Sequence, residues 1–434
     1  MNENHKSAAF YTIGCKLNYS ETSTIGKSFT ERGFEIVNFE DRADVYVINT
    51  CTVTASAEKD CRHIVRKLLK QNPSAFIAVT GCYAQLRPEE IVKIPGVDIV
   101  LGANEKFKLF DLIENFDKNI NACVYVSDLE NDKLEFQIAS SSDVDSRTRA
   151  FLKIQDGCDY PCTYCTIPFA RGKSRSTTLE NAVKNLKELL ESGYKEIVLT
   201  GVNIGEYNSD GVSFYDLVKS LIAVEGDFRL RISSIEPNLV TDELIELVAN
   251  SDKLCRHFHI PLQSGSPKIL KLMQRRYTAP FYINLVNKIL ERIPDAGIGV
   301  DVIVGFPSET DDDFNETYSL LNNLKISYLH AFTYSERPDT KALSIDGKVD
   351  VAKRRERNKK LRLLSDKKRN EFYDSSIGKL VEPLFEKENI NGYVKGFTSN
   401  YIKVFTKFDD KLFNSFRKVI ITENSSTHCY AELI

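Results

Sequence analysis

The sequence predicts an α/β protein of three units: a doubly wound parallel sheet, an open six-unit (β/α) partial barrel, and a small all-β C-terminal barrel. Three observations carry this. Short apolar, β-branched runs alternate with helical spacing from residue 7 to about 126. A strand–helix unit then recurs six times between Phe151 and about Arg369, and past Ile377 strand-like runs alternate with turn residues alone.

In the first unit the strand candidates are Ala8–Ile13, Asp44–Asn49, Phe76–Thr80 and Asp98–Leu101. Helical patterns lie between and after them at Ser20–Arg32, Ala55–Gln71, Pro88–Lys93 and Glu105–Phe116. A Ser- and Asp-rich stretch, residues 127–149 with Ser140-Ser141-Ser142, reads as a linker. The barrel strands are Phe151–Gln155, Glu196–Thr200, Arg229–Ser233, Phe258–Leu262, Gly299–Val304 and Tyr328–Tyr334. Six units fall two short of a closed (β/α)8 barrel, so an open one is expected, with functional residues on the loops after the strands. Gly392–Val394 and Tyr401–Thr406 mark the β-tail, whose eight Lys or Arg face seven Asp or Glu.

Hydrophobic residues at 42% and charged residues at 27% are the balance of a folded soluble chain of 434 residues. Met1–Lys6 lacks an apolar signal core, and no apolar run nears the roughly 20 residues of a membrane span. A cytoplasmic protein is expected, in which ten cysteines read as metal or catalytic thiols before disulfides. The net charge of −3 argues neither for nor against nucleic acid, so any RNA-binding surface must be local. The stretch Lys353–Arg369 is its best candidate, with ten Lys or Arg against Glu356 and Asp366; a solvated helix face explains the charge equally well.

Cys158, Cys162 and Cys165 form C-x3-C-x2-C directly after the first barrel strand. Three thiolates in one short loop can hold three irons of a four-iron cluster and leave the fourth open. A structural zinc site takes four ligands, and no neighbouring Cys or His completes one here. Cys15, Cys51 and Cys82 each follow one of the first three parallel strands, the edge at which open α/β sheets gather ligands. Their convergence suggests a second cluster with an open iron. Cys61, Cys123, Cys255 and Cys429 read as packed thiols. Gly172-Lys173-Ser174 is no phosphate loop, because Ile167 stands where that motif needs glycine.

These residues give a family resemblance over nearly the whole chain. The stretches are Tyr11-Thr12-Ile13-Gly14-Cys15-Lys16-Leu17-Asn18, Asn49-Thr50-Cys51-Thr52-Val53-Thr54 and Thr80-Gly81-Cys82. Further on come Ile154-Gln155-Asp156-Gly157-Cys158, Ile167-Pro168-Phe169-Ala170-Arg171-Gly172, Pro261-Leu262-Gln263-Ser264-Gly265 and Val304-Gly305-Phe306-Pro307. The chain thereby resembles the radical S-adenosylmethionine (SAM) methylthiotransferases, most closely those acting on N6-threonylcarbamoyladenosine in tRNA. The resemblance implies a flavodoxin-like methylthiotransferase N-terminal domain (1–126), a radical SAM domain (150–373) and a TRAM domain (376–434).

It further implies two [4Fe-4S] clusters, with Cys158, Cys162 and Cys165 holding the one that cleaves SAM and Cys15, Cys51 and Cys82 an auxiliary one used in sulfur transfer. One SAM would methylate sulfur at the auxiliary cluster; another would yield the 5′-deoxyadenosyl radical that activates adenine C2. The SAM pocket would involve Tyr164, Thr200, Gly201, Asn203, Ser234, Glu236 and Gln263, with Arg171 as a substrate or SAM contact. Thr200-Gly201-Val202-Asn203 departs from the Gly-Gly-Glu of many radical SAM proteins, and Asp339 stands where the family usually has Gly. Implied partners are the tRNA anticodon stem-loop and an electron donor such as flavodoxin or ferredoxin, with the enzyme a monomer away from membranes.

Within the family, Gly-Cys-Lys-x-Asn around Cys15 resembles the threonylcarbamoyladenosine class. The isopentenyladenosine class more often has Gln after that cysteine, and a third class modifies a ribosomal-protein aspartate. A non-catalytic iron–sulfur RNA-binding protein would share the basic stretch and β-tail, but two cysteine trios each short of a full ligand set fit an enzyme better.

Overall fold

The computed structural model describes residues 6–52, 55–118, 122–129, 134, 136–140 and 148–434. Val53 and Thr54 of the Cys51 motif, and Ser141 and Ser142 of the linker, lie outside the described residues.

The first sheet contains β1 (Ser7–Thr12), β2 (Glu35–Ile36), β3 (Val45–Thr50), β4 (Phe76–Gly81), β5 (Ile99–Leu101) and β6 (Cys123–Tyr125). They lie side by side as β2-β1-β3-β4-β5-β6, all parallel. This is the flavodoxin-like order with one added edge strand, and the order reverses between β1 and β3. Strands β3 and β4 are buried at every residue because separate apolar clusters cover the two faces. Helix α1 (Lys16–Thr30) starts directly after Cys15, four residues earlier than its apolar periodicity suggests.

The predicted helix Glu105–Phe116 forms only at Leu109–Leu112. Packing overrides periodicity there: Phe110 and Phe116 meet Phe29 at ring-centroid distances of 4.6 and 5.5 Å, and Phe116 also meets Phe76 at 5.3 Å. Cys123 departs from the packed-thiol expectation, being exposed on the edge strand, whereas Cys61, Cys255 and Cys429 are buried.

The barrel strands are β7 (Arg149–Lys153), β8 (Glu196–Thr200), β9 (Arg229–Ile232), β10 (His257–His259), β11 (Gly297–Val304) and β12 (Tyr328–Thr333). They form two parallel three-stranded sheets, β9-β8-β7 and β10-β11-β12, linked by the bridges Leu230↔Leu254 and Ser234↔His259. Alternation along each strand divides the faces. Ala150, Leu152, Ile197, Leu199, Leu230, Ile232, Phe258, Ile298 and Val300 join the apolar core beneath the helices. The opposite face turns Arg149, Phe151, Lys153, Glu196, Val198, Arg231, His257, His259, Asp301, Tyr328 and His330 toward the lumen.

The C-terminal unit contains β13 (Leu380–Val381), β14 (Leu384–Ile390), β15 (Tyr393–Phe397), β16 (Lys403–Lys407), β17 (Val419–Asn424) and β18 (Cys429–Leu433), ordered β13-β17-β18-β16-β15-β14. The two outer strands are consecutive in the chain, separated by Glu382-Pro383, so one kinked segment serves both edges. A loop of this unit seals the amino ends of the barrel strands. Arg229 donates to the Phe397 carbonyl (2.7 Å), Arg231 to those of Thr398 and Ser399 (both 3.2 Å), and the Asn400 amide to that of Asp295 (2.8 Å). Tyr401, at φ 74°, inserts its ring beside His257 (4.9 Å) and beneath the Arg231 guanidinium (4.7 Å). An aromatic residue in the left-handed region costs roughly 1–3 kcal/mol and persists only where surrounding contacts fix it.

Glu196 underlies this seal, accepting from Arg229 Nε (2.7 Å) and Arg231 Nε (2.8 Å). Burial raises its pKa, but Arg231 and Arg229 overcome that and hold it well below the carboxylate range. Glu196→Gln is expected to lose roughly 3–5 kcal/mol in urea denaturation and to expose the 374–380 junction to protease, since it leaves two buried guanidinium groups short of their counter-ion. The folded pKa lies below the unfolded value of about 4.3, so this stabilisation is complete above that pH and declines as pH falls below it. A variant as stable as the parent between pH 5 and 8 would show that the carbonyls alone suffice.

Candidate active site: two cysteine triads and a polar lumen

Cys158, Cys162 and Cys165 sit on the loop between β7 and the short helix Ile167–Arg171. The loop is pinned at its root. Gly157 has φ 70°, and a Cβ there would lie 2.0 Å from the Lys173 carbonyl oxygen. The Cys158 amide donates to the Gly172 carbonyl (3.1 Å). The Gln155 side chain ties the loop to the turn after β8: its carbonyl accepts from the Val202 and Asn203 amides (both 2.9 Å), and its amide donates to the Gly157 carbonyl (2.7 Å) and the Ser174 hydroxyl (2.9 Å).

Each sulfur receives a donor: the Tyr160 amide to Cys158 (3.4 Å), the Ile167 amide to Cys165 (3.5 Å), and Arg275 Nη1 to Cys162 (3.1 Å). Burial raises all three thiols, Cys165 to about 12, so metal uptake must displace their protons.

Arg275 was not anticipated from the sequence and organises several residues that were. Its guanidinium pairs with Glu236 and donates to the Tyr164 hydroxyl (3.3 Å) and, through Nε, to the Tyr277 hydroxyl (3.1 Å). Tyr277 in turn donates to the Pro261 and Leu262 carbonyls (both 2.8 Å), just before Gln263. Among the described residues, Thr200 Oγ1, both polar atoms of the Asn203 amide, and Gln263 Oε1 are buried without a hydrogen-bond partner. Buried polar atoms are normally satisfied, and these four orphans, at or after the carboxyl ends of β8 and β10, fit a polar ligand that completes them. Gly201 packs tightly under Gln155, while Ser234 bridges to His259 and is half-buried.

The other three cysteines converge at the carboxyl ends of β1, β3 and β4, beside the topological switch point. Cys15 is the exposed N-cap of α1, while Cys51 and Cys82 are buried. Asn18 joins the loops, donating to the Ile13 (3.0 Å) and Thr50 (2.9 Å) carbonyls, and the Cys15 thiol donates to its Oδ1 at 3.7 Å. Arg337, on the segment after β12, reaches the Cys51 loop and donates to the Thr52 hydroxyl (3.1 Å).

Among the described residues, neither triad has all three sulfurs within 4.8 Å of one another, and only His259, Asp301 and His330 bring ligand atoms that close. A tetrahedral zinc, with Zn–S near 2.3 Å, would hold its sulfurs about 3.8 Å apart. A cluster that takes each thiolate on a different iron does not need sulfurs that close, and the three free thiols of each triad are the donor type it binds.

Arg171 lies at the junction of the first domain and the barrel. It is buried and spent between the domains, donating to Glu21 Oε1 (2.9 Å), Asn18 Oδ1 (2.7 Å) and Asp156 Oδ1 (3.0 Å). Lys106 (2.6 Å) and Lys153 (3.2 Å) also pair with Glu21, and Lys153 (2.6 Å) and Arg175 (3.2 Å) with Asp156. Desolvation and Lys106's cationic neighbours outweigh its pairing with Glu21, leaving it near pKa 8.

The basic stretch is likewise divided. Within the helix Val351–Asp374, Arg354 is buried against the Tyr334 and Val349 carbonyls, Arg357 against Glu309, and Lys368 against the Asn322 carbonyl. Arg355, Lys359 and Arg362 recur at helical spacing on the exposed side and make no ion pair among the described residues. Asp339 takes φ 66°, the conformation glycine would adopt, and its carboxylate pairs with Arg87, so the turn survives the substitution.

Residues 152–321 match the family model "Radical SAM superfamily" and residues 7–102 match "Uncharacterized protein family UPF0004". The chain is similar to "Threonylcarbamoyladenosine tRNA methylthiotransferase MtaB" of Bacillus subtilis, with 43% identity over 96% of this chain and 93% of that protein. The protein of that name from Aquifex aeolicus is 42% identical over 91% of this chain and 95% of its own length. The "tRNA-2-methylthio-N(6)-dimethylallyladenosine synthase" of Fusobacterium nucleatum is 35% identical over 99% and 100%. Among solved structures, the radical SAM methyltransferase TsrM from Kitasatospora setae shares the fold, with TM-score 0.53 and 14% identity over 78% of this chain and 77% of that one.

Two glycines separate backbone strain from close approach. Gly157 and Gly193 have positive φ (70° and 87°), but a Cβ at Gly193 meets nothing within 4 Å. Gly193→Ala is expected to cost only about 1 kcal/mol, from φ alone. Gly157→Ala must also push back two carbonyls, and should lose several-fold more stability and the iron held by the Cys158 loop. Equal thermal shifts and equal iron in the two variants would refute that account of the loop.

Proposed function

The chain belongs to the radical SAM methylthiotransferases, and on that premise we propose that it converts N6-threonylcarbamoyladenosine-37 of tRNA to its 2-methylthio derivative. The observation that carries this reading is the pair of open cysteine triads locked to one buried ion cluster. An enzyme that only cleaves SAM has no need of the second. The two MtaB relatives, at 43% and 42% identity against 35% for the dimethylallyladenosine synthase, favour the threonylcarbamoyl substrate.

In this reading residues 1–126 are the methylthiotransferase domain, 150–373 the radical SAM domain and 376–434 the TRAM domain, in a cytoplasmic monomer reduced by a flavodoxin or ferredoxin. When bound, the cluster at Cys158, Cys162 and Cys165 supplies the electron that cleaves SAM, and the one at Cys15, Cys51 and Cys82 the site of sulfur methylation. The protein's own residues position. Arg275 holds Glu236 and Tyr164 against Cys162; Thr200, Asn203 and Gln263 present unspent polar atoms to SAM; and Arg171 fixes the separation between the triads. The base must leave its stack to enter the lumen, which an anticodon loop permits. Arg355, Lys359 and Arg362, with the C-terminal unit, face the RNA backbone.

Anaerobic reconstitution should load roughly eight irons per chain. Replacing either cysteine triad with Ala should remove about half, and only loss of the Cys158 triad should abolish 5′-deoxyadenosine formation. Nucleosides from cells lacking the gene should contain threonylcarbamoyladenosine without its methylthio form. Loss of the methylthio group from the isopentenyl nucleoside instead would move the assignment to the sister class. Charge reversal at Arg355, Lys359 and Arg362 should weaken tRNA binding and flatten its salt dependence by about 0.9 in log–log slope for each phosphate no longer neutralised. Unaltered binding across several salt concentrations would make that face merely solvated.

A further inference from the structure

The lumen holds a cavity of about 470 Å³ between the inner faces of β7, β8 and β9, the start of α1, and the Tyr401 floor. Its wall is cationic: Lys16, Arg149, Arg231, Lys387 and Lys395 line it, against Glu386 and Glu388. Most of these cations are matched. Arg149 pairs with Glu386 (2.9 Å), Lys395 with Glu386 and Glu388 (both 2.9 Å), and Arg231 with Glu196 (2.8 Å).

Lys16 is different: among the described residues its ammonium makes no ion pair or hydrogen bond, although it lines the cavity. Lys387 also lacks a pair, and both side chains are solvent-accessible, but of the two only Lys16 adjoins a cysteine of the second triad. The Tyr401 phenol, at the floor, registers the resulting potential. Burial should raise its pKa, yet Arg149, Lys16 and Arg231 bring it below the usual value.

Lys16 directly follows Cys15, so whatever its side chain grips lies within one side-chain length of the second triad. On adenine, C2 and the N6 substituent share one edge of the ring, flanking N1. A base presenting C2 to that triad therefore turns its N6 substituent along the same wall. A threonylcarbamoyl group ends in a carboxylate; a dimethylallyl group carries no charge.

We infer that Lys16 is the specificity-determining residue for the substrate, pairing in the lumen cavity with the carboxylate of the threonylcarbamoyl group. The inference rests on the threonylcarbamoyladenosine reading above and deepens it. A charge-assisted pair in a cavity of this kind, lost when one partner is neutral, corresponds to about 10- to 100-fold in affinity.

The test uses the anaerobically reconstituted holoenzyme and anticodon stem-loop RNAs carrying threonylcarbamoyladenosine, its methyl ester, or isopentenyladenosine. Dissociation constants are read by fluorescence anisotropy and kcat/KM by nucleoside mass spectrometry. The wild type should prefer acid over ester by about 10- to 100-fold in Kd. Lys16→Gln should bind the acid as weakly as the ester, with affinity for the ester unchanged, and Lys16→Arg should restore most of the preference. A wild type indifferent to esterification, or a Lys16→Gln variant that keeps the preference, overturns the assignment. The first of these needs no variant and so is immune to cluster loss beside Cys15. Methylthiolation of the isopentenyl RNA alone would instead overturn the substrate reading, and this inference with it.

Discussion

The buried ion cluster around Arg171 is the constraint from which the rest of the architecture follows. Four cations, Lys106, Lys153, Arg171 and Arg175, surround two carboxylates, Glu21 and Asp156, with little access to water. Removing each charge from water costs several kcal/mol, recovered only when every partner is in place. Glu21 and Lys106 come from the first domain and the other four from the barrel. Each domain pairs its own carboxylate, but Lys153 and Arg171 also reach across to Glu21, so the barrel's surplus of buried cations is matched only when the two are docked. That need fixes α1 against the loop carrying Cys158, Cys162 and Cys165. The cluster has more positive than negative groups, and Cys82 lies within its field: burial raises that thiol's pKa while Arg171 draws it down. An anionic ligand set at the neighbouring triad is thus electrostatically welcome.

A second consequence concerns the lumen. Closed (β/α) barrels fill their interiors with layers of branched apolar side chains. Here the six strands leave an opening, and the inward positions carry Arg149, Glu196, Arg231, His259, Asp301 and His330 instead. His259 and Asp301 are hydrogen-bonded at 2.9 Å, and the His330 ring stacks on His259 at 5.6 Å. Such a wall is stable only if wet or matched. Helix α1 covers one side through Tyr19, which packs on Phe151 at 5.7 Å, and the C-terminal loop covers the base. The interior remains a chamber because its lining is too polar to collapse.

Much of this was legible in the sequence, and the remainder was hidden for identifiable reasons. Strand Glu196–Thr200 falls where it was expected, because the apolar run Ile197-Val198-Leu199 between polar residues marks it locally. The cysteine positions after β1, β3 and β4 followed from strand order alone. Arg171 could not be read, since Glu21 lies 150 residues away and nothing local signals the pairing. Arg354 and Arg357 looked like surface charge for the same reason, their partners being carbonyls and Glu309 on other elements. Arg275 sits in Met273-Gln274-Arg275-Arg276-Tyr277, where two adjacent arginines gave no sign that one would reach Cys162. The false helix at Glu105–Phe116 had suitable periodicity, but its aromatic rings had a better surface to cover.

The docking of the Thr398–Tyr401 loop bears on how such proteins can diversify. A C-terminal β-unit that hung from a linker could be exchanged between lineages as a cassette, changing the partner while leaving the chemistry alone. This one supplies the base of the chamber through Tyr401, and its carbonyls satisfy Arg229 and Arg231. A crossover placed near residue 376 would therefore import a foreign chamber floor along with a foreign C-terminal surface. Inheritance of the two should be linked, and successful recombination should fall where no residue of one unit closes the cavity of another.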